Sequence, residues 1–158
     1  MIKLDRTDRR ILELMQADGR ISNLELADKI GLSPSPCSRR VKALEEAGLI
    51  ARHVTLLDPV KLNLNLTAYI HISMDRHTPD RFENFETKVS SYEEVLECVL
   101  VTGTDADYQL KVVVPDMAHY QEFLLGKLTR IDGVTGVRSS FVLREVFQHT
   151  ALPLTHIR

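Results

Sequence analysis

Apolar and polar positions along the first fifty residues recur with a helical period, broken at regular intervals by capping residues. Leu4 to Asp18 reads as a first helix. Asp5 is its cap, Asp8 the reciprocal partner three residues on, and Gly19 its end. A second helix starts after Ser22, with Glu25 completing a capping box, and stops at Gly31, a residue free to turn left-handed. Ser33 and Pro34 then open a third helix, with the proline at the first position, where no backbone donor is lost. Cys37, Val41 and Leu44 form the apolar stripe of that helix. Ser35, Ser38, Arg39 and Lys42 project from the opposite side, and Arg40 flanks the stripe. Ile11, Leu12 and Met15 are expected to pack on Leu24, Ala27 and Ile30 and on the stripe, giving three short helices around one small core.

After Gly48 the period changes. Ile50, Val54 and Leu56 around Arg52 suggest a short strand leaving the helices, and Asp58-Pro59 with the segment to Asn65 reads as a linker. Thr67–Met74 alternates, with Ala68, Ile70, Ile72 and Met74 on one face. A helix follows at Pro79–Ser91, capped by Thr78, with Phe82, Phe85 and Val89 inward. Strands are predicted at Val95–Val101 and Tyr108–Val114, a helix from Asp116 to about Ile131 with Met117, Tyr120, Phe123, Leu124 and Leu128 inward, and a long last strand at Val134–Val146. The order βαββαβ is the ferredoxin-like motif, an antiparallel sheet with two helices on one face. The predicted class is α+β: a winged helix-turn-helix domain over residues 1–57, a linker over 58–65, and the βαββαβ domain over 66–158. Val95–Val101 and Tyr108–Val114 carry valine or leucine at both parities, whereas a half-exposed antiparallel sheet alternates. A second buried sheet face, covered by another copy of the chain, is the expectation.

Composition adds limits. The 158 residues are 44% hydrophobic and 27% charged, a globular balance. No apolar run approaches the ~20 residues of a membrane span. The N-terminus MIKLDRTDRR lacks the apolar centre of a signal peptide, so no membrane is expected. Cys37 and Cys98 lie on predicted apolar faces and suggest packed thiols in a reducing compartment. The net charge of −2 argues against a nucleic-acid binder, but the halves differ. Residues 1–55 hold ten Lys/Arg against eight Asp/Glu, and residues 56–158 hold ten against fourteen. A small basic reader joined to an acidic second domain fits these numbers.

The third helix then acquires a chemical reading. Between Ser33 and Leu44 stand three bases and no acid. A tight turn leading into such a helix is what a helix-turn-helix needs, because basic groups meet phosphates and guanine edges while small hydroxyls let the helix sit deep in the major groove of double-stranded DNA. The DNA-binding set is Ser33, Ser35, Ser38, Arg39, Arg40 and Lys42. Arg52 and His53 are weaker phosphate candidates. An enzyme is disfavoured. His53, His71, His77, His119, His149 and His156 are scattered, and none forms an H-x-x-x-H pair or a zinc spacing with cysteine. There is no nucleophile elbow, phosphate loop or dinucleotide fingerprint. No metal or cofactor is called for. Two readings stay beside a local regulator: a chromosome-organising protein that wraps DNA, and a sensing subunit whose helix-turn-helix docks on protein.

The segments LDRTDRRILELMQADGR and LSPSPCSRRVKALEEAGLI closely resemble the reader domain of the Lrp/AsnC family of prokaryotic regulators, and VTGTDADYQLKVVVPD with SSFVLREVFQHTALPL resembles that family's amino-acid-sensing domain. The resemblance covers nearly the whole chain. It implies a cytoplasmic transcription regulator that assembles as dimers and often octamers, with a small effector, usually an amino acid, held between dimers. It places the effector loop at Thr102, Gly103, Thr104, Asp105, Ala106 and Asp107, with partner residues near Gln121 on the last helix and at Val137, Arg138, Ser139 and Ser140 on the last strand. An amino acid needs an acceptor for its ammonium group, which Asp105 or Asp107 offers, and donors for its carboxylate, which backbone N–H groups around Gly103 offer. The family commonly places two residues between the glycine and the acid; here Gly103 and Asp107 are separated by three, so either aspartate fits the acidic role.

Overall fold

The computed structural model describes residues 4–103 and 105–157. Three helices come first: α1 (Arg6–Ala17), α2 (Asn23–Ile30) and α3 (Pro34–Glu46). Their caps follow the sequence closely. Asp5 accepts from Asp8 N and Asp8 from Asp5 N, at 2.8 and 3.1 Å, and Ser22 and Glu25 make the same reciprocal pair at the start of α2. Gly31 ends α2 in the left-handed region at φ 71°, which lets Leu32 N reach Ala27 O at 2.9 Å. Ser33 occupies the N-cap of α3, but its hydroxyl makes no capping bond. Instead Asn23 donates from its amide to Pro34 O at 2.9 Å, tying the start of α2 to the start of α3 across the turn.

The core of this unit is Ile11, Leu26, Ala27, Cys37 and Leu44, with Leu12, Met15, Ile30 and Val41 packed around it. Leu24, expected inside, is exposed, because a helix of eight residues turns only one narrow stripe inward and Leu26 and Ala27 occupy it. The expected strand after Gly48 does not form: residues 51–58 are irregular, since a strand needs a ladder partner and this segment has none among the described residues.

The second unit begins at Leu57 and runs to Glu145. Its entry is less loose than a linker: Asp58 accepts from Val60 N at 3.0 Å and starts a 3₁₀ turn at Val60–Leu62. Four strands, β1 (Leu66–Met74), β2 (Val95–Leu100), β3 (Tyr108–Val114) and β4 (Val134–Phe141), form one antiparallel sheet in the order β2-β3-β1-β4. Helices α4 (Pro79–Ser90) and α5 (Met117–Gly126) supply Phe85, Val89, Tyr120 and Phe123 to the core beneath Ala68, Ile70, Ile72, Tyr108, Leu110 and Val112. This is the ferredoxin-like arrangement expected from the element order. Met117 is exposed rather than inward, and Leu128 reaches the core from a separate 3₁₀ turn after α5 ends at Gly126.

The second sheet face, expected to be buried against another copy, is mixed in its chemistry. The other face carries Tyr69 and His71 from β1 and Gln109 and Lys111 from β3, with Val113 the apolar exception. The excess of apolar residues lies on β2, where Leu96, Val99 and Leu100 are exposed because β2 is an edge strand that the helices only partly cover. Cys98 is exposed there too, while Cys37 is buried.

Strand β4 stops at Phe141, five residues before the expected Val146. The chain from Val146 onward groups with the three helices and not with the sheet. The cause is polar. Gln16 of α1 accepts from Leu152 N at 2.6 Å and donates to Leu152 O at 3.2 Å, a side-chain amide imitating a backbone partner. Arg9 adds a bond to Ile157 O at 3.1 Å.

Two stability predictions follow from these contacts. Gly31→Ala meets no neighbouring atom, so its cost is the backbone conformation alone, ~1–2 kcal/mol, read as a lower Tm of the helical unit. Gln16→Ala removes two exposed hydrogen bonds and should cost ~1 kcal/mol, with faster proteolysis of the tail from Val146.

Candidate DNA-reading and effector sites

Helix α3 presents its two faces as the sequence requires. Cys37 and Leu44 are buried, and Ser33, Ser35, Ser38, Arg39 and Lys42 are exposed. Arg39 forms no ion pair with a described residue, and Lys42 meets only Glu46, at 3.7 Å between two exposed groups, which is worth little. Four polar side chains and the uncapped N-terminus of α3 therefore project together. Arg40 does not join them. Its Nη1 lies 2.8 Å from Asp5 Oδ2 and 2.7 Å from Asp8 Oδ1, both on the cap of α1. The bond from Asp8 N, with Arg40 beside it, holds the Asp5 carboxyl below the usual carboxylate range, and the two carboxylates push the Arg40 guanidinium up. Arg52 and His53 lie on the irregular segment after α3; His53 faces Glu45 at 3.8 Å.

In the second unit, the turn between β2 and β3 folds over the end of β1. Gly103 takes φ 84° there, and Thr102 and Gly103 are exposed. Thr104 lies outside the described residues. The two aspartates separate sharply. Asp107 is tied down: its Oδ2 accepts from Met74 N at 2.7 Å, its Oδ1 meets His77 Nε2 at 2.7 Å, and its backbone pairs with Ile72 and Val101. Asp105 is 92% exposed at its side chain; its carbonyl accepts from Ser73 Oγ at 3.0 Å and its carboxylate lies 3.7 Å from Arg138 Nη1. The fold thus brings Asp105, Ser73 and Arg138 together from the turn, β1 and β4.

The remaining expected residues fall into two groups. Ser139 hydrogen-bonds the hydroxyl of Tyr120 on α5, whose ring packs edge-on against Phe141. Val137 is packed against the core and Ser140 is exposed, while Gln121 lies exposed on α5 and makes no hydrogen bond to the described residues of the turn. Ser73 and His77 were missed by sequence reasoning. Ser73 carries the parity signal of the open sheet face; His77, beyond the strand end, carries none. Among the described residues, no three His, Cys, Asp or Glu side chains are grouped to hold a metal ion, and no helix is long and apolar enough to cross a membrane.

Comparison with known proteins agrees with both halves. A winged helix-turn-helix DNA-binding family matches residues 4–51, and the Lrp/AsnC ligand binding domain family matches residues 67–152. The chain is 47% identical over 149 residues to the leucine-responsive regulatory protein of Escherichia coli K12, covering 94% of this chain and 90% of that protein. Among solved structures, a transcriptional regulator from Neisseria meningitidis in complex with L-Met is 42% identical with a TM-score of 0.94, over 98% of this chain and 99% of that one. An AsnC family transcriptional regulator from Agrobacterium tumefaciens is 39% identical with a TM-score of 0.92, over 98% of this chain and 100% of that one. With a reader helix turned outward, a ferredoxin-like second unit and these matches across nearly its whole length, the chain belongs to the Lrp/AsnC family of DNA-binding transcriptional regulators with an amino-acid-binding domain.

Proposed function

We propose that this protein is a cytoplasmic regulator that reads double-stranded DNA through the outer face of α3 and alters its DNA binding or assembly when an amino acid occupies the β2–β3 turn. The DNA assignment rests on the exposure of Ser35, Ser38, Arg39 and Lys42 on one side of α3, with Ser33 exposed at its start, while Cys37 and Leu44 are buried on the other side. Arg39 reads a base edge and Lys42 a phosphate; the hydroxyls of Ser35 and Ser38 line the close approach, and the start of α3 at Ser33 meets the backbone.

The effector reading assigns the ammonium group to Asp105, whose carboxylate is exposed, and the carboxylate to Arg138 and to backbone N–H groups beside Thr102 and Gly103. Asp107 acts indirectly, by fixing the turn to β1. An apolar amino acid such as leucine or methionine fits best, because the relatives include a leucine-responsive protein and an L-Met complex. Ser140 and Gln121 complete the site from β4 and α5, with a neighbouring copy contributing, while Val137 and Ser139, on the core side of β4, act by holding that strand in place. Self-assembly into dimers, and then an octamer or another multiple of dimers, is supported by the exposed Leu96, Val99 and Leu100 on β2. A ligand that touches more than one copy shifts such an equilibrium by its differential affinity for the assembled form.

Two experiments test this. On a duplex selected by the wild type from a random pool, Arg39→Ala should cost ~1–3 kcal/mol. Lys42→Ala should weaken binding to every duplex and lower the salt slope by ~0.9. A double alanine variant that stays folded and binds normally would remove α3 from the interface. For the effector, titration calorimetry with L-leucine and L-methionine should show a loss of roughly 10–100-fold in Asp105→Asn, the scale of one charged hydrogen bond. Asp107→Asn should instead lower Tm by loosening the end of β1. Unchanged affinity in Asp105→Asn places the ammonium group elsewhere.

A further inference from the structure

Arg40 stands in the middle of the reading helix, one residue from Arg39, yet its chemistry points away from DNA. One guanidinium nitrogen, Nη1, is held by Asp5 at 2.8 Å and Asp8 at 2.7 Å. The three groups together carry one positive and two negative charges, so a phosphate approaching Arg40 meets a net negative cluster. That is the wrong sign for an anion contact.

The same two carboxylates form the capping box of α1 through their backbone bonds, with Asp8 Oδ2 accepting from Asp5 N and Asp5 Oδ1 from Asp8 N. The oxygens facing Arg40 are the other two, Asp8 Oδ1 and Asp5 Oδ2. Every oxygen of the pair is therefore used, two to close α1 and two to hold α3. Along α3, Arg40 lies three residues after buried Cys37 and four before buried Leu44, at the border of the stripe that packs on α1 and α2. An apolar stripe is non-directional and tolerates rotation of a short helix about its axis. A charged bond from the border of that stripe to a fixed helix terminus does not.

We infer that Arg40 is a positioning residue for DNA reading: its bond to Asp5 and Asp8 sets the rotation of α3, and so the direction in which Ser35, Ser38, Arg39 and Lys42 face the groove. This rests on the DNA-binding reading of α3 given above. Arg40 touches no DNA itself, and Asp8, an acid within the reader, works in favour of specific binding.

Arg40→Gln, Asp8→Asn and the double variant test this. Asparagine at position 8 keeps one oxygen to accept from Asp5 N, so the cap of α1 survives while the charge facing Arg40 is lost. Affinity is measured for a duplex selected by the wild type from a random pool and for a scrambled duplex of equal length. Measurements span a range of salt concentrations, at a temperature where circular dichroism shows each variant fully folded. The expected result is a drop of roughly tenfold in the ratio of specific to scrambled binding in both single variants, the scale of one lost base-edge contact. The salt slope should be unchanged in Arg40→Gln, and the double variant no worse than either single one. A phosphate contact gives the opposite pattern, in which Arg40→Gln weakens both duplexes alike and lowers the slope by ~0.9, while Asp8→Asn, removing a repulsive charge, strengthens both. That pattern, or no change in the ratio, overturns the inference while leaving the DNA reading intact. A wild type that selects no duplex overturns both.

Discussion

Strand β1 is the member on which the sheet unit depends. It pairs along its length with β3 on one side and β4 on the other, and its inward residues Ala68, Ile70 and Ile72 are fully buried. A one-residue slip of β1 would turn that set to the open face and bring Tyr69 and His71 inside, so register is strongly specified. The end of β1 is where register would fray, and there the chain places a polar tie: Asp107, leaving the β2–β3 turn, accepts from Met74 N and meets His77. The turn that presents Asp105 is thereby anchored to an inner strand of the sheet.

The helical unit solves a related problem with fewer residues. Five buried side chains form its centre, the largest being Ile11, Leu26 and Leu44. A core of this size fills space but specifies orientation weakly, and small domains commonly need additional ties. Here the ties are polar: the two capping boxes, the Asn23 amide on Pro34 O, the Arg40 pair with Asp5 and Asp8, and the tail held by Gln16 and Arg9. The tail runs on from β4, the strand that carries Arg138, and ends its path on α1 of the reader. The sheet unit is thus joined to the helical unit by continuous chain both before β1 and after β4.

The sequence by itself determined the three helices, the βαββαβ order, the capping boxes of α1 and α2 and the outward basic face of α3. Each of these is decided within a few residues: a Ser or Asp three positions before its partner, a glycine where the backbone turns left-handed, a stripe at helical spacing. The ferredoxin-like topology was legible for the same reason, because alternation in β1 and periodicity in α4 are local patterns. What only the tertiary structure decided was which charged groups remain available. Arg40 and Asp107 look, in sequence, like Arg39 and Asp105. Their partners, Asp5 and Asp8 for one and Met74 and His77 for the other, come from other elements, about thirty residues away along the chain. The exposed edge at β2 and the return of the tail to α1 belong to the same class. Strand order and a pair of hydrogen bonds across 136 residues leave no periodic mark on the segments they join.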